Sequence, residues 1–194
     1  MFVKVCGLTE PAHVTAAVDS GADAVGFVFA RSPREVTPAR ARELAADIPD
    51  SVLTVGVFRD VPAARAAEIA AESGMRAVQL HGSYPREAFT HFPDFQLIRA
   101  TALAPDTDIE VGAYGEDILL LDSAIPGSGE RWDLTEATLP VGDWLLAGGL
   151  TPATVAAAIA EATPWGVDVS SGVEARRGVK DPAMIKDFLA AAKS

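Results

Sequence analysis

One cysteine in 194 residues excludes an internal disulfide framework, so the stability of the chain must come from its core. The three histidines, His13, His81 and His91, show no ligand spacing to one another or to Cys6, which argues against a structural metal. An excess of positive charge is missing too. With 16 basic against 27 acidic side chains the formal charge is −11, the wrong sign for tracking a nucleic-acid backbone or an anionic membrane surface. Neither kind of partner is expected. The longest apolar runs, such as residues 24–30 and 118–121, fall far short of the roughly 20 residues that span a bilayer. Lys4 and Gly7 interrupt the stretch that a secretory signal would keep apolar. A cytoplasmic protein is expected. No linker or low-complexity tract is visible, and residues 1–194 read as one domain.

What the chain has is apolar material, 49% of it, in a regular arrangement. Short runs rich in Val, Leu, Ile and Phe begin near Phe2, Ala24, Leu53, Ala77, Gln96, Ile118, Trp144 and Gly166, every 19 to 29 residues. Most are followed by an Ala-rich segment with apolar residues at helical spacing. Thr9-Glu10-Pro11, Thr37-Pro38, Thr151-Pro152 and Asp181-Pro182 each pair a capping residue with a proline suited to a first helical turn. Residues 106–116 carry many acids and two glycines, and residues 126–142 are rich in Gly, Pro and charge, so the helices of the fifth and sixth units should be short or irregular. Eight βα units can close into a (β/α)8 TIM barrel or form an open doubly wound sheet. The first strand–helix turn, Cys6-Gly7-Leu8-Thr9, lacks the G-x-G-x-x-G dinucleotide fingerprint, which favours a single compact α/β barrel.

A barrel builds its site at the C-terminal ends of its strands. The residues that close the apolar runs are Cys6, Arg31 to Arg34, His81, Arg99 to Thr101, Asp122, Gly148-Gly149 and Ser170-Ser171-Gly172. Gly148 and Gly149 follow the seventh strand, and Ser170, Ser171 and Gly172 follow the eighth. Small residues there let backbone N–H groups approach a phosphate, which favours a small phosphorylated ligand. Asp122 delivers a carboxyl group to the rim, where desolvation could keep it protonated as a general acid, although a strand-end aspartate can also simply bond its loop. Cys6 is either a small core hydrophobe or, as thiolate, a general base. Alternation places Lys4 on the face of Cys6 and Asp168 on that of Ser170. Closure makes those strands neighbours, so a Lys4–Asp168 ion pair is expected inside the barrel. Lys4, about 7 Å away along the strand, should have only a modest pull on Cys6. Arg34 could grip a carboxylate through its planar fork. His81 would line the mouth, and His13 and His91 read as surface residues.

At this point the segments resemble the phosphoribosylanthranilate isomerase family of tryptophan biosynthesis. The likeness lies in Lys4-Val5-Cys6-Gly7-Leu8-Thr9, residues 21–29 with Ser32-Pro33-Arg34, Val55-Gly56-Val57-Phe58, Val78-Gln79-Leu80-His81-Gly82, Leu120-Leu121-Asp122-Ser123, residues 146–150 and residues 166–174. The resemblance spans nearly the whole chain. It implies a barrel that performs the Amadori rearrangement of N-(5-phosphoribosyl)anthranilate without a cofactor or metal, as a monomer or homodimer. It also implies Asp122 as the acid that opens the furanose ring, Cys6 as the base at C2′, Arg34 near the anthranilate carboxylate, and the two loops as the phosphate site. Arg59-Asp60 stands where the family usually has a small or apolar residue and an asparagine. Trp132-Asp133-Leu134 stands where it usually has phenylalanine before the aspartate and tryptophan after it. Both departures bear on loop packing and substrate affinity and leave the acid–base pair intact. Two rivals are another phosphosugar-isomerising barrel and a non-catalytic phosphate-ligand binder. The histidine-pathway isomerase, a doubled half-barrel with an aspartate base on its first strand, fits Cys6 and the unlike loops of the two halves poorly. A binder would have no need of both Cys6 and Asp122.

Overall fold

The computed structural model describes residues 1–104, 106–122 and 139–194. In chain order the elements are β1 (Phe2–Cys6), α1 (Pro11–Asp19), β2 (Ala24–Val28), α2 (Pro38–Ala45), β3 (Leu53–Phe58), α3 (Ala63–Ser73), β4 (Ala77–His81) and β5 (Gln96–Ala102). They continue with β6 (Ile118–Asp122), β7 (Trp144–Leu146), α4 (Val155–Ala162), β8 (Gly166–Val169), the short β9 (Glu174–Arg176) and β10 (Val179–Lys180), and α5 (Pro182–Ala192). Strands β1 to β8 form one closed parallel barrel, with β8 back beside β1. All eight begin at the residues predicted from the sequence.

Each strand is apolar on both faces because the barrel buries both. Inward-facing Cys6, Ala24, Val55, Val57, Ala77, Ile98, Ala100, Ile118, Leu120, Leu145 and Ala147 form one cluster. Outward-facing Val3, Val5, Val25, Phe27, Val78, Leu80, Leu119, Leu121, Val167 and Val169 form another with Val14, Ala17, Leu44, Ile185 and Phe188 of the helices. Thr37 and Asp181 cap α2 and α5 as expected, their side chains accepting from Arg40 N, and from Ala183 N and Met184 N. Thr151-Pro152 does not start a helix. The Thr151 N–H donates to Thr154 Oγ1 at 3.0 Å, and α4 begins at Val155.

The irregular fifth unit is as expected: the described residues between β5 and β6 form turns in place of a helix. The segment foreseen for the sixth unit lies largely outside the described residues. The fourth unit departs from the sequence reading, with a six-residue 3₁₀ turn at Arg86–His91 after β4. Arg99 does not look into the mouth. Its neighbours Ile98 and Ala100 take the interior, so Arg99 faces outward and anchors the turns, donating to Glu116 Oε1 at 2.6 Å, Asp108 O at 2.8 Å and Glu110 O at 3.0 Å. His13 is buried and not a surface residue. Its ring packs at the start of α1, Nδ1 has no partner among the described residues, and burial pushes its pKa down.

Candidate active site

The seventh and eighth strand loops meet backbone to backbone. A side chain at Gly172 would start 1.7 Å from the Leu150 carbonyl oxygen, so only glycine permits that approach. Gly148 and Gly149 take left-handed φ angles of 88° and 66°. Among the described residues the N–H groups of Gly149, Ser171 and Gly172 are not spent on protein acceptors. With Asp122, Ala147, Leu150, Asp168, Val169 and Ser170 these residues enclose a cavity of about 80 Å³. Asp122 thus lines one space with both the glycine and the serine loops. A larger groove of about 410 Å³ lies outside the barrel between α1 and α2, lined by Arg40, Glu43 and Asp47 among others; it gathers no strand ends.

Beneath the mouth Lys4 Nζ donates to Asp168 Oδ1 at 2.7 Å, the pair expected from strand parity. Burial pulls the lysine down, but Asp168 and Cys6 outweigh it and hold the ammonium above its ordinary pKa. Its share of stability is therefore present below the ordinary lysine range and lost as pH rises past it. For Cys6, burial raises the thiol above its ordinary value, Lys4 and Lys180 oppose this, and Asp168 adds to it. Lys4 is the foremost influence favouring the thiolate, without overcoming burial. Burial, reinforced by the Arg59 charge, lowers the pKa of His81 at the end of β4 and leaves it neutral at pH 7.

Arg34 crosses the mouth above the first loop, its Cδ 2.6 Å from where a side chain at Gly7 would begin. It is not a free loop charge. Nε donates to Glu174 Oε1 at 2.5 Å and Nη2 to Glu174 Oε2 at 3.0 Å, while Nη1 takes no partner among the described residues. Glu174 also accepts from Lys180 Nζ at 3.0 Å and Gly178 N at 2.9 Å. Burial would raise its pKa, but these bonds outweigh burial and hold it at about 2. Its stabilisation is present above the ordinary carboxylate range and lost as pH falls toward that value. Lys180 is buried, its pKa lowered by burial despite Glu174. The sequence reading missed Glu174 and Lys180. Their signal was weak: a lysine next to Asp181-Pro182, in a polar stretch that looks solvated.

These features can be set beside known proteins. The sequence profile described as N-(5'phosphoribosyl)anthranilate (PRA) isomerase matches residues 3–191. The chain belongs to the phosphoribosylanthranilate isomerase family. An N-(5'-phosphoribosyl)anthranilate isomerase of Paracoccus denitrificans is 42% identical over 209 residues, covering 98% of this chain and 96% of that protein. The crystal structure of TrpF from Jonesia denitrificans superposes with a TM-score of 0.90 at 47% identity, covering 100% of this chain and 97% of the other. A phosphoribosyl anthranilate isomerase in complex with reduced 1-(o-carboxyphenylamino)-1-deoxyribulose 5-phosphate superposes with a TM-score of 0.81 at 33% identity, covering 100% and 98%. Cys6, His81 and Asp122 end their strands and Arg34 and the two loops follow theirs, and Trp132 to Leu134 lie outside the described residues.

Proposed function

We infer that the chain isomerises N-(5-phosphoribosyl)anthranilate to 1-(2-carboxyphenylamino)-1-deoxyribulose 5-phosphate, an aldose–ketose change by general acid–base catalysis. The observation that carries this reading is the cavity that joins Asp122 to both phosphate-type loops in a chain of this family. The phosphate takes the N–H groups of Gly149, Ser171 and Gly172, with Gly148 and Ser170 shaping the loops. Arg34 takes the anthranilate carboxylate through Nη1. The Asp122 carboxyl donates a proton to the ring oxygen, the C1′–O bond breaks, and the nitrogen lone pair forms the Schiff base. The Cys6 thiolate then removes the C2′ proton, and the electrons return to nitrogen to give an enolamine that tautomerises to the ketone. The positive charge of the protonated Schiff base adds to Lys4 and Lys180 in favouring the thiolate. Neutral His81 lines the wall.

Among the described residues no helix is long and apolar enough to cross a membrane. A lone thiol kept reduced suits the cytoplasm as the working compartment. Loss of substrate fluorescence with the purified protein tests the activity. Asp122→Asn should abolish turnover while retaining product-analogue binding, since the amide keeps the shape but cannot supply the proton. Cys6→Ser should fold and lose about 10²-fold or more of kcat, the usual contribution of an acid–base group. Turnover by either variant within about tenfold of the parent would remove that residue from its role.

A further inference from the structure

The hairpin β9–β10 follows the eighth-strand loop directly and touches both ends of the proposed binding site. On one side Lys180 Nζ donates to Ser170 O at 2.8 Å and Ser170 Oγ at 3.3 Å. On the other it donates to Glu174 Oε1, the atom that also receives Arg34 Nε. A continuous chain of charge-assisted bonds therefore runs from the phosphate loop through Lys180 and Glu174 to Arg34. The hairpin tip adds a steric contact. Gly178 has φ +82°, and a side chain there would start 2.8 Å from Pro33 Cβ and 3.0 Å from Pro33 O. The tip thus rests on the residue before Arg34, and its N–H closes on Glu174 Oε2. Two cations, half-buried Arg34 and buried Lys180, share one carboxylate, an arrangement that a wall-building pair does not need.

We propose that Lys180 and Glu174 are positioning residues that hold Arg34 at a fixed offset from Ser170, so that the β9–β10 hairpin sets the spacing at which the site accepts the two anionic groups of its substrate. This inference rests on the functional reading above. A ligand carrying a carboxylate and a phosphate gains by binding both ends at once only when the two receptors already stand at the matching distance. The hairpin supplies that distance without touching the reacting atoms.

The test uses the full chain and two kinds of probe, the whole substrate and single anions. Gly178→Ala leaves every charged group in place and pushes the tip against Pro33. It should raise KM for phosphoribosylanthranilate about tenfold, a displacement effect, while competitive inhibition by inorganic phosphate stays within about twofold and the pH profile does not move. Lys180→Met combined with Arg34→Met should lose less than the product of the two single losses, because both act on one linkage, and Lys180→Arg should recover part of the affinity. An unchanged KM in Gly178→Ala overturns the proposal. So does a parallel loss of phosphate and substrate binding, which would mean a collapsed loop. Should Gly178→Ala fail to fold, the Lys180–Arg34 cycle decides, and multiplicative losses overturn the proposal. Absence of turnover in the parent protein would instead overturn the functional reading.

Discussion

Two arginine–glutamate pairs, one buried and one half-buried, brace different parts of the barrel, and they differ in what they leave over. Arg99 spends Nε on Glu116, Nη1 on Asp108 O and Nη2 on Glu110 O, with its guanidinium carbon 4.6 Å from the Tyr114 ring centroid. Arg34 spends Nε and Nη2 on Glu174 and keeps Nη1. Its side chain is 21% exposed against 6% for Arg99. Glu116 answers one cation and the Tyr114 N–H, whereas Glu174 answers two cations. An arginine with all three nitrogens bonded to protein builds wall; an arginine with one nitrogen left over and a second cation on its carboxylate can hold a ligand.

Replacing each arginine with methionine breaks that comparison most sharply. Arg99→Met leaves Glu116 buried without a cation and two loop carbonyls without donors, and should cost about 3–5 kcal/mol of stability. The fraction that remains folded should turn over normally. Arg34→Met leaves Glu174 still paired with Lys180, so its stability cost should be small. It should raise KM by about 10- to 100-fold, the worth of a charge-assisted bond to the substrate carboxylate. Denaturant unfolding and steady-state kinetics on both variants check the crossover. Equal losses of stability and of affinity in the two would erase the distinction.

The strands were legible because burial on both faces writes them as continuous apolar runs, and their even spacing announced eight of them. Strand parity and barrel closure sufficed to pair Lys4 with Asp168 across 164 residues. The place of Asp122 and of the glycine and serine clusters around one cavity was legible, because residue type and strand end coincide there. What stayed hidden depends on non-local bonds. Arg34 looks like a solvated loop charge until the hairpin brings Glu174 over it. Arg99 looks like a mouth residue because its strand position alone does not reveal which face the barrel turns inward. His13 looks exposed because Glu10 and Pro11 open the helix, yet its ring is buried against the barrel.

A smaller effect is expected where the spare charge acts on a proton and not on a ligand. Burial holds Cys6 above its ordinary thiol pKa and Lys4 opposes it. Thiolate therefore accumulates as pH rises, and kcat/KM should climb on the alkaline side, since that ratio reports the free enzyme. Lys4→Met removes the opposing charge and should move the climb to higher pH, losing activity near neutrality by up to tenfold for each pH unit of displacement. It also strands Asp168, which pushes the thiol the same way. Lys4→Met with Asp168→Asn separates the two, because it removes cation and anion together and should displace the climb less. The single cysteine makes thiolate absorbance in the ultraviolet an unambiguous readout. A thiol titration that is the same in all three proteins would make Lys4 a packing residue only.

The weakest form of spare charge is an exposed one, and Arg59 provides it. It follows β3 at the mouth, is 60% exposed along its side chain, and lies 3.7 Å from Asp60, an exposed pair of the kind that contributes little. Asp60 stands in a left-handed turn at φ 58°, which fixes where the loop, and Arg59 with it, leaves the strand. In a chain of net charge −11, a cation at the rim offsets the repulsion that an approaching anionic substrate meets. It also helps keep His81 neutral. Arg59→Ala should lower kcat/KM about two- to fivefold at low ionic strength, and the difference should vanish as salt shortens the screening length. Arg34→Met, acting through a direct bond in a half-buried site, should keep most of its defect at the same salt. Parallel salt series of kcat/KM for the two variants make the comparison, and a salt-independent loss in Arg59→Ala would mean that this arginine touches the substrate and belongs with Arg34.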